Sequence, residues 1–393
     1  MKGSPLVVLF LTVFIDLLGF GIVLPLLPYY AEGFGAGPLA VTLLSSSYSL
    51  MQFLFAPVWG RLSDRVGRRP ILVLSLAGSA LSYLLFGLAG SLAALFATRL
   101  LAGVCAANIS TAQAYIADVT TPETRAKGMG MIGAAFGLGF IFGPAVGGAL
   151  SRYGYAVPAF FAAGLSLAAL ALALFRLPES LRRRIDNPGG AARGGFDLGR
   201  LWAALVHPRM GLLLLIFFCS VFAFANLEAT FALFVERAAR FGYTARETGY
   251  LFAYMGVLMS LMQGGLVGRL ARRFGERRLV AAGTLMLAAG LGVVPLAPGL
   301  GGLMGALALL AFGVGMNTPS LSSLISRSAG ADEQGGVLGV SQSMSSLARI
   351  LGPAWGGFAF EQFGPASPYF TTAGLMGATF LVSLMLCRQA EGG

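Results

Sequence analysis

Gly60-Arg-Leu-Ser-Asp-Arg-Val-Gly-Arg-Arg69 is a charged turn between two apolar runs, and it returns 208 residues later as Gly268-Arg-Leu-Ala-Arg-Arg-Phe-Gly-Glu-Arg277. Other landmarks fall into the same register. Gly143-Pro-Ala-Val-Gly-Gly148 recurs as Gly352-Pro-Ala-Trp-Gly-Gly357 at an offset of 209, which also pairs Asn108 with Asn317 and Asp118 with Arg327. Such agreement marks an internal duplication. An even number of membrane spans between the copies makes both face the same way, so the halves are expected to be related by an axis along the membrane normal.

The runs between these landmarks decide the environment. The 393 residues are 56% hydrophobic and 11% charged, whereas an ordinary soluble domain is about one-quarter charged. Apolar stretches repeatedly exceed about 18 residues, the length that crosses a hydrocarbon core of roughly 30 Å at about 1.5 Å per residue. Spans are read near residues 5–30, 40–60, 70–89, 92–116, 127–150 and 157–175, and again near 210–234, 246–268, 279–297, 300–325, 335–359 and 367–387. The expected fold is an all-α membrane protein of 12 transmembrane helices in two pseudo-symmetric six-helix bundles, residues 1–176 and 209–393. Residues 177–208, with Arg182-Arg183-Arg184 and a Gly-rich run, form a flexible connection.

A net charge of +11 raises the question of a nucleic-acid partner, and its distribution answers against one. With a cytoplasmic N-terminus, the cytoplasmic segments hold 21 of the 27 Lys and Arg, the opposite side holds Arg152, Arg237, Arg240 and Arg246, and Arg99 and Arg349 lie inside spans. The positive-inside rule puts both termini in the cytoplasm. It also accounts for the linker arginines without a lipid-headgroup site. Residues 1–30 are too long an apolar run, and carry Asp16, to read as a cleaved signal peptide. Cys105, Cys219 and Cys387 suggest neither a disulfide framework nor a metal site, and the single His207 stands beside Pro208 in the connection.

The loop Gly60, Asp64, Arg65, Gly67, Arg68, Arg69 resembles the signature loop of the major facilitator superfamily, Gly-x-Leu-x-Asp-Arg-x-Gly-Arg-Arg. That resemblance implies a charge network in which Asp64 and Arg68 join Asp118, at the end of the fourth helix, and stabilise the outward-facing state with its cytoplasmic gate closed. The second copy departs from the pattern, with Arg272 at the Asp position and Glu276 at an Arg position. Arg99-Leu-Leu-Ala-Gly103 looks like the family's fourth-helix motif, whose Arg is implicated in proton transfer. The run through Gly139, Gly143, Pro144, Gly147 and Gly148 resembles the motif marking the twelve-helix drug:proton antiporters, tetracycline and multidrug exporters included. So does Asp16-Leu-Leu-Gly-Phe-Gly-Ile-Val-Leu-Pro-Leu-Leu-Pro28 in the first span. Physically, glycines four apart also suit close helix packing alone, and Pro144 removes a hydrogen bond and is expected to bend its helix.

Ionisable groups inside spans are costly and functional by default. Asp16, Arg99, Glu228 and Arg349 are therefore the proton-coupling candidates, with the pairing among them open; Glu228 is equally placed to contact a cationic substrate. Polar side chains expected to find partners in or around a substrate cavity are Gln52, Asn108, Gln113, Asn226, Tyr254, Gln263, Asn317 and Gln342, among aromatic and methionine residues suited to an adaptable apolar site.

The function that gathers these features is proton-coupled efflux of small amphipathic or drug-like molecules by alternating access, with a uniporter or symporter for a sugar or other metabolite as the alternative. An enzyme is disfavoured: no nucleotide-binding Gly loop with Lys-Ser or Lys-Thr appears, no His and Cys cluster suits a metal, and one His supports little acid–base chemistry. No cofactor is expected, the proton gradient supplying the energy. The expected partners are a small-molecule substrate, protons and membrane lipids, for a monomer in a cell (inner) membrane.

Overall fold

The computed structural model describes residues 5–106, 109–181, 208–238, 240–328 and 334–388, with side chains described for the same residues except 5, 122–127, 208–209, 334–338 and 387–388. Among them the chain forms twelve helices: α1 (Leu6–Glu32), α2 (Pro38–Val66), α3 (Arg68–Gly87), α4 (Leu92–Val119, regular over Leu92–Cys105 and Ile109–Val119), α5 (Pro122–Ser151), α6 (Ala156–Arg176), α7 (Pro208–Arg237), α8 (Ala245–Phe274), α9 (Glu276–Leu296), α10 (Leu300–Arg327), α11 (Gln334–Phe363) and α12 (Ser367–Arg388). Eleven segments among the described residues are long and apolar enough to cross a membrane.

The helices follow from local chemistry. Ser91 caps α4 by accepting the Ala94 N–H at 3.2 Å, and Thr244 with Glu247 forms a capping box at the start of α8. Pro25 tightens α1 into a 3₁₀ turn at Leu24–Leu26, and the Gly264-Gly265 pair lies in a π-turn at Met262–Leu266 within α8. α5 continues through Pro144 as one helix, and α11 does the same through its counterpart Pro353. Several helices run past the apolar spans read from sequence because their polar ends keep the same backbone hydrogen bonds; α2 extends to Val66 rather than residue 60.

The chain divides into two compact units: Met1–Leu27 with Ser47–Phe196, and Pro28–Ser46 with Asp197–Gly393. The expected connection at 177–208 falls mostly outside the described residues. Pro28–Ser46, which belongs to the first half by sequence, packs with the second unit, and specific contacts hold it there. Tyr29 Oη lies 2.8 Å from Thr248 Oγ1 and donates to the Tyr243 carbonyl at 3.0 Å. The Glu361 carboxylate accepts the Leu39 N–H at 3.1 Å, and Ser46 Oγ donates to the Ile350 carbonyl at 2.7 Å.

In the first unit α1 packs on α5 and α6, and α3 on α4 and α6; in the second α7 packs on α11 and α12, and α9 on α10 and α12. The pairing pattern repeats. The six glycines with positive φ among the described residues also fall into three pairs, Gly35/Gly242, Gly67/Gly275 and Gly154/Gly364. The first unit centres on Leu9, Leu76, Tyr115, Ile116 and Ala135, and the second on Leu214, Ile216, Val280, Leu321 and Ile325. The outer faces carry exposed Leu81, Leu85, Leu88, Phe175, Leu381 and Met385, an apolar coat that suits lipid and would be a liability in water.

Candidate functional site

Close backbone approach sets the frame. In the first unit the α5 glycines face α1: a Cβ on Gly143 would lie 2.6 Å from Gly21 Cα, and one on Gly139 would lie 3.0 Å from the Leu17 carbonyl carbon. In the second unit a Cβ on Gly352 would lie 2.6 Å from the Phe222 carbonyl oxygen, and Gly356 abuts the Asn226 amide. Without side chains at these positions, α1 and α7 lie directly on their partners.

This packing holds ionisable groups inside the bundles. Asp16 on α1 is 8% exposed, and Ser79 Oγ of α3 donates to its carboxylate at 3.0 Å. Arg99 on α4 is 3% exposed, its guanidinium carbon stands 4.4 Å from the Tyr48 ring centroid, and its Nε is buried with no hydrogen-bond partner. Tyr83, against Gly19 of α1, lies within electrostatic reach of Asp16, Tyr48 and Arg99. Four helices of the first unit thus bring one acid, one base and two phenols into one buried cluster.

The second unit holds Glu228 on α7, 7% exposed, with Oε2 3.9 Å from the Arg349 guanidinium of α11 and Oε1 buried without a partner. The Arg349 side chain is 32% exposed. Asp16 and Arg99 therefore share a unit, as do Glu228 and Arg349.

The charged turn is organised around Arg68. Gly67, at φ +116°, reverses the chain between α2 and α3, a conformation that a side chain would strain. Arg68 then reaches Asp64 at 2.6 Å, Asp118 at 3.2 Å and Ser63 Oγ at 2.7 Å. Glu179, just beyond α6, accepts the N–H groups of Arg68 and Arg69 at 2.9 and 3.1 Å, so a carboxylate closes the N-terminus of α3. Ser180 donates to Asp118 at 3.0 Å and Arg69 to the Leu174 carbonyl at 2.5 Å, while Arg65 is exposed. Gly60 is open on its outer side.

The second copy rebuilds this arrangement with signs exchanged. Gly275, at φ +83°, precedes Glu276, whose carboxylate pairs with Arg327 at the end of α10 at 3.3 Å and accepts from Ser323 at 2.7 Å. Arg277 donates to the Leu386 carbonyl at 3.2 Å, as Arg69 does to Leu174. The departures at Arg272 and Glu276 therefore leave a helix-end pair in place, of opposite polarity.

The polar residues read as cavity contacts separate into two groups. Asn226 is 0% exposed and donates to the Pro368 carbonyl at 3.1 Å and to Thr372 at 3.3 Å, while Asn317 is buried and donates to Ser220 Oγ at 3.2 Å. Both tie helices of the second unit together, because a buried amide needs partners whether or not it meets substrate. Gln52 similarly donates to the Ala106 carbonyl at 3.2 Å, joining α2 to α4. Gln113, Gln263 and Gln342 are exposed, Tyr254 is half-buried, and Asn108 lies outside the described residues. Gly148 lies on α5 beside Gly147, which abuts Ile22.

Sequence reading missed Ser79, Tyr83, Tyr48 and Glu179. A Ser or Tyr in an apolar helix carries no periodic signal, and Glu179 is separated from Arg68 by 111 residues. The only hint was an acid directly after Pro178, where α6 has to stop.

Two repeated bundles of long apolar helices, each with charges buried inside and a charged turn at one edge, define a multi-pass membrane transport protein. The chain belongs to the Major Facilitator Superfamily, whose family model matches residues 9–353 and 229–392. It is 30% identical over 363 residues to Multidrug resistance protein 2 of Bacillus subtilis (strain 168), covering 90% of this chain and 88% of that protein. It is 35% identical over 364 residues to Tetracycline resistance protein, class C, of Escherichia coli, with 90% and 88% covered. Among solved structures, the human organic anion transporter MFSD10 (TETRAN) aligns with a TM-score of 0.74 at 29% identity, covering 96% of this chain and 98% of that one.

Proposed function

We propose that the chain is a proton-coupled exporter of small amphipathic or drug-like molecules, in which protonation of a buried carboxyl and binding of solute bias opposite states of an alternating-access cycle. The observation that carries this reading is the buried cluster of Asp16, Ser79, Tyr83, Arg99 and Tyr48, to which the names of the multidrug and tetracycline resistance relatives add the substrate class. A carboxyl held by a neutral hydroxyl can gain or lose a proton at a modest cost in hydrogen bonding. Glu228, loosely paired with the Arg349 cation, is the second candidate carrier. The work is done by the halves 1–176 and 209–393, joined at 177–208, as a monomer in a cell (inner) membrane with both termini cytoplasmic. No cofactor takes part, the proton gradient supplies the energy, and the protein is a carrier rather than an enzyme.

The test is proton flux from proteoliposomes on adding lipophilic cations or tetracycline-like compounds, with Asp16→Asn and Glu228→Gln beside wild type. A substrate-dependent flux that Asp16→Asn abolishes is expected; solute exchange without proton movement would sink the reading. A second reading, an organic-anion carrier, is favoured by Arg349, a partly exposed intramembrane cation, and by the MFSD10 likeness. Saturable exchange of organic anions lost in Arg349→Gln would select it.

A further inference from the structure

The far ends of α1 and α7 carry a second group of charges, distinct from the buried clusters. Glu32, at the last residue of α1, pairs with Arg237, at the last residue of α7, and the Arg237 guanidinium carbon stands 5.7 Å from the Phe360 ring centroid of α11. Glu236, the residue before Arg237, brings its carboxyl within hydrogen-bonding reach of Glu32. Its Oε2 is buried and receives no hydrogen bond from any donor among the described residues. Two carboxyls thus meet one guanidinium. If both are ionised, Glu236 presents a buried lone pair to another carboxylate with nothing between them. One proton shared by the two oxygens supplies the missing hydrogen bond and leaves the trio neutral. Glu32 and Arg237 are the charged groups facing Glu236 among the described residues. The same trio holds Pro28–Ser46, the strap that sequence assigns to the first half and packing to the second unit. Elsewhere along its length the strap is held by neutral contacts at Tyr29 and Ser46 and by the Glu361 cap on Leu39.

We propose that Glu32, Glu236 and Arg237 form a proton-binding clasp which holds the strap 28–46 on the second unit while loaded and releases it on losing its proton. The strap continues into helices of the first unit at both ends, so relative motion of the two units has to open the clasp or bend the chain near Leu27 and Ser46. In the proposed topology the clasp faces the outside. A proton taken up there would then close that side at the stage of the cycle when solute has left. This role in the cycle rests on the proton-coupled reading above, whereas the clasp's response to pH does not.

The experiment places spin labels at Gly33→Cys on the strap and Arg246→Cys at the start of α8, with Cys105, Cys219 and Cys387 replaced by Ser. Label separation is measured in lipid nanodiscs at about pH 6 and about pH 9, both above the range in which an ordinary exposed carboxyl titrates. A single short separation at the lower pH, joined by a longer population at the higher, is expected. Glu236→Gln, which supplies its own N–H donor and cannot ionise, is expected to keep the short separation at both. Identical wild-type separations at the two pH values would overturn the proposal, as would a Glu236→Gln protein opening like wild type. Proton flux measured in parallel separates the two ideas. Opening without substrate-driven flux sinks the exporter and leaves the clasp; flux without opening does the reverse.

Discussion

Arg68 meets Asp64, Asp118 and Ser63 with one guanidinium, and the geometry uses the fork and not charge alone. Arg68→Lys keeps the charge and loses the fork, so it should weaken coupling to Asp118 by about 1 kcal/mol in a double-mutant cycle on thermal unfolding, the pair being partly open to solvent. A coupling indistinguishable from zero in wild type would reduce the network to surface decoration. At this scale the sequence was legible where a motif concentrated charge in a turn, as at Asp64 and Arg68, with Asp118 added by the family resemblance, and silent where one hydroxyl sat in an apolar helix. Ser79 and Tyr83 look like any Ser or Tyr on a packed helix until the fold brings Asp16 and Gly19 against them. Asn226 and Asn317 show the converse. Their polarity was visible, but a buried amide that binds substrate and one that binds a neighbouring helix leave the same trace.

At the scale of elements the glycines of α5 and α11 do the positioning. Gly143→Ala would drive a methyl into Gly21 of α1 and, with backbone on the other side, nothing flexible can give way. A loss of about 1–3 kcal/mol is expected in detergent unfolding, with the Asp16 cluster displaced because it rides on α1. Gly133→Ala, nearly three turns away on the same helix, adds its methyl to open space and should be neutral or slightly stabilising. Equal losses in the two would refute the packing argument. The repeat of the Gly-Pro run made this contact legible in both halves. The π-turn of α8 and the strap were not legible, since each depends on what packs beside it.

Across the whole molecule the duplication reaches from the paired positive-φ glycines to the helix pairs, yet the ion pairs at the turns run Arg68 to Asp118 in one half and Glu276 to Arg327 in the other. If polarity is immaterial and pairing is what counts, Glu276→Arg combined with Arg327→Asp should recover most of the transport rate that either change alone removes. Each single change should cost several-fold, and a double variant no better than the singles would assign the roles to the individual residues. Far more of the molecule was readable at this scale than below it, because twelve apolar runs and a fixed offset leave few arrangements open.

The exchanged polarity also says something about ancestry. Two halves that descend from one unit cannot trade the sign of a pair in a single replacement: the first change leaves two like charges facing each other, or one charge alone. A chain that passed through that condition in one half would have leaned on the pair in the other. Loss of either turn alone should then leave a chain that still transports, at the several-fold lower rate expected of the single changes.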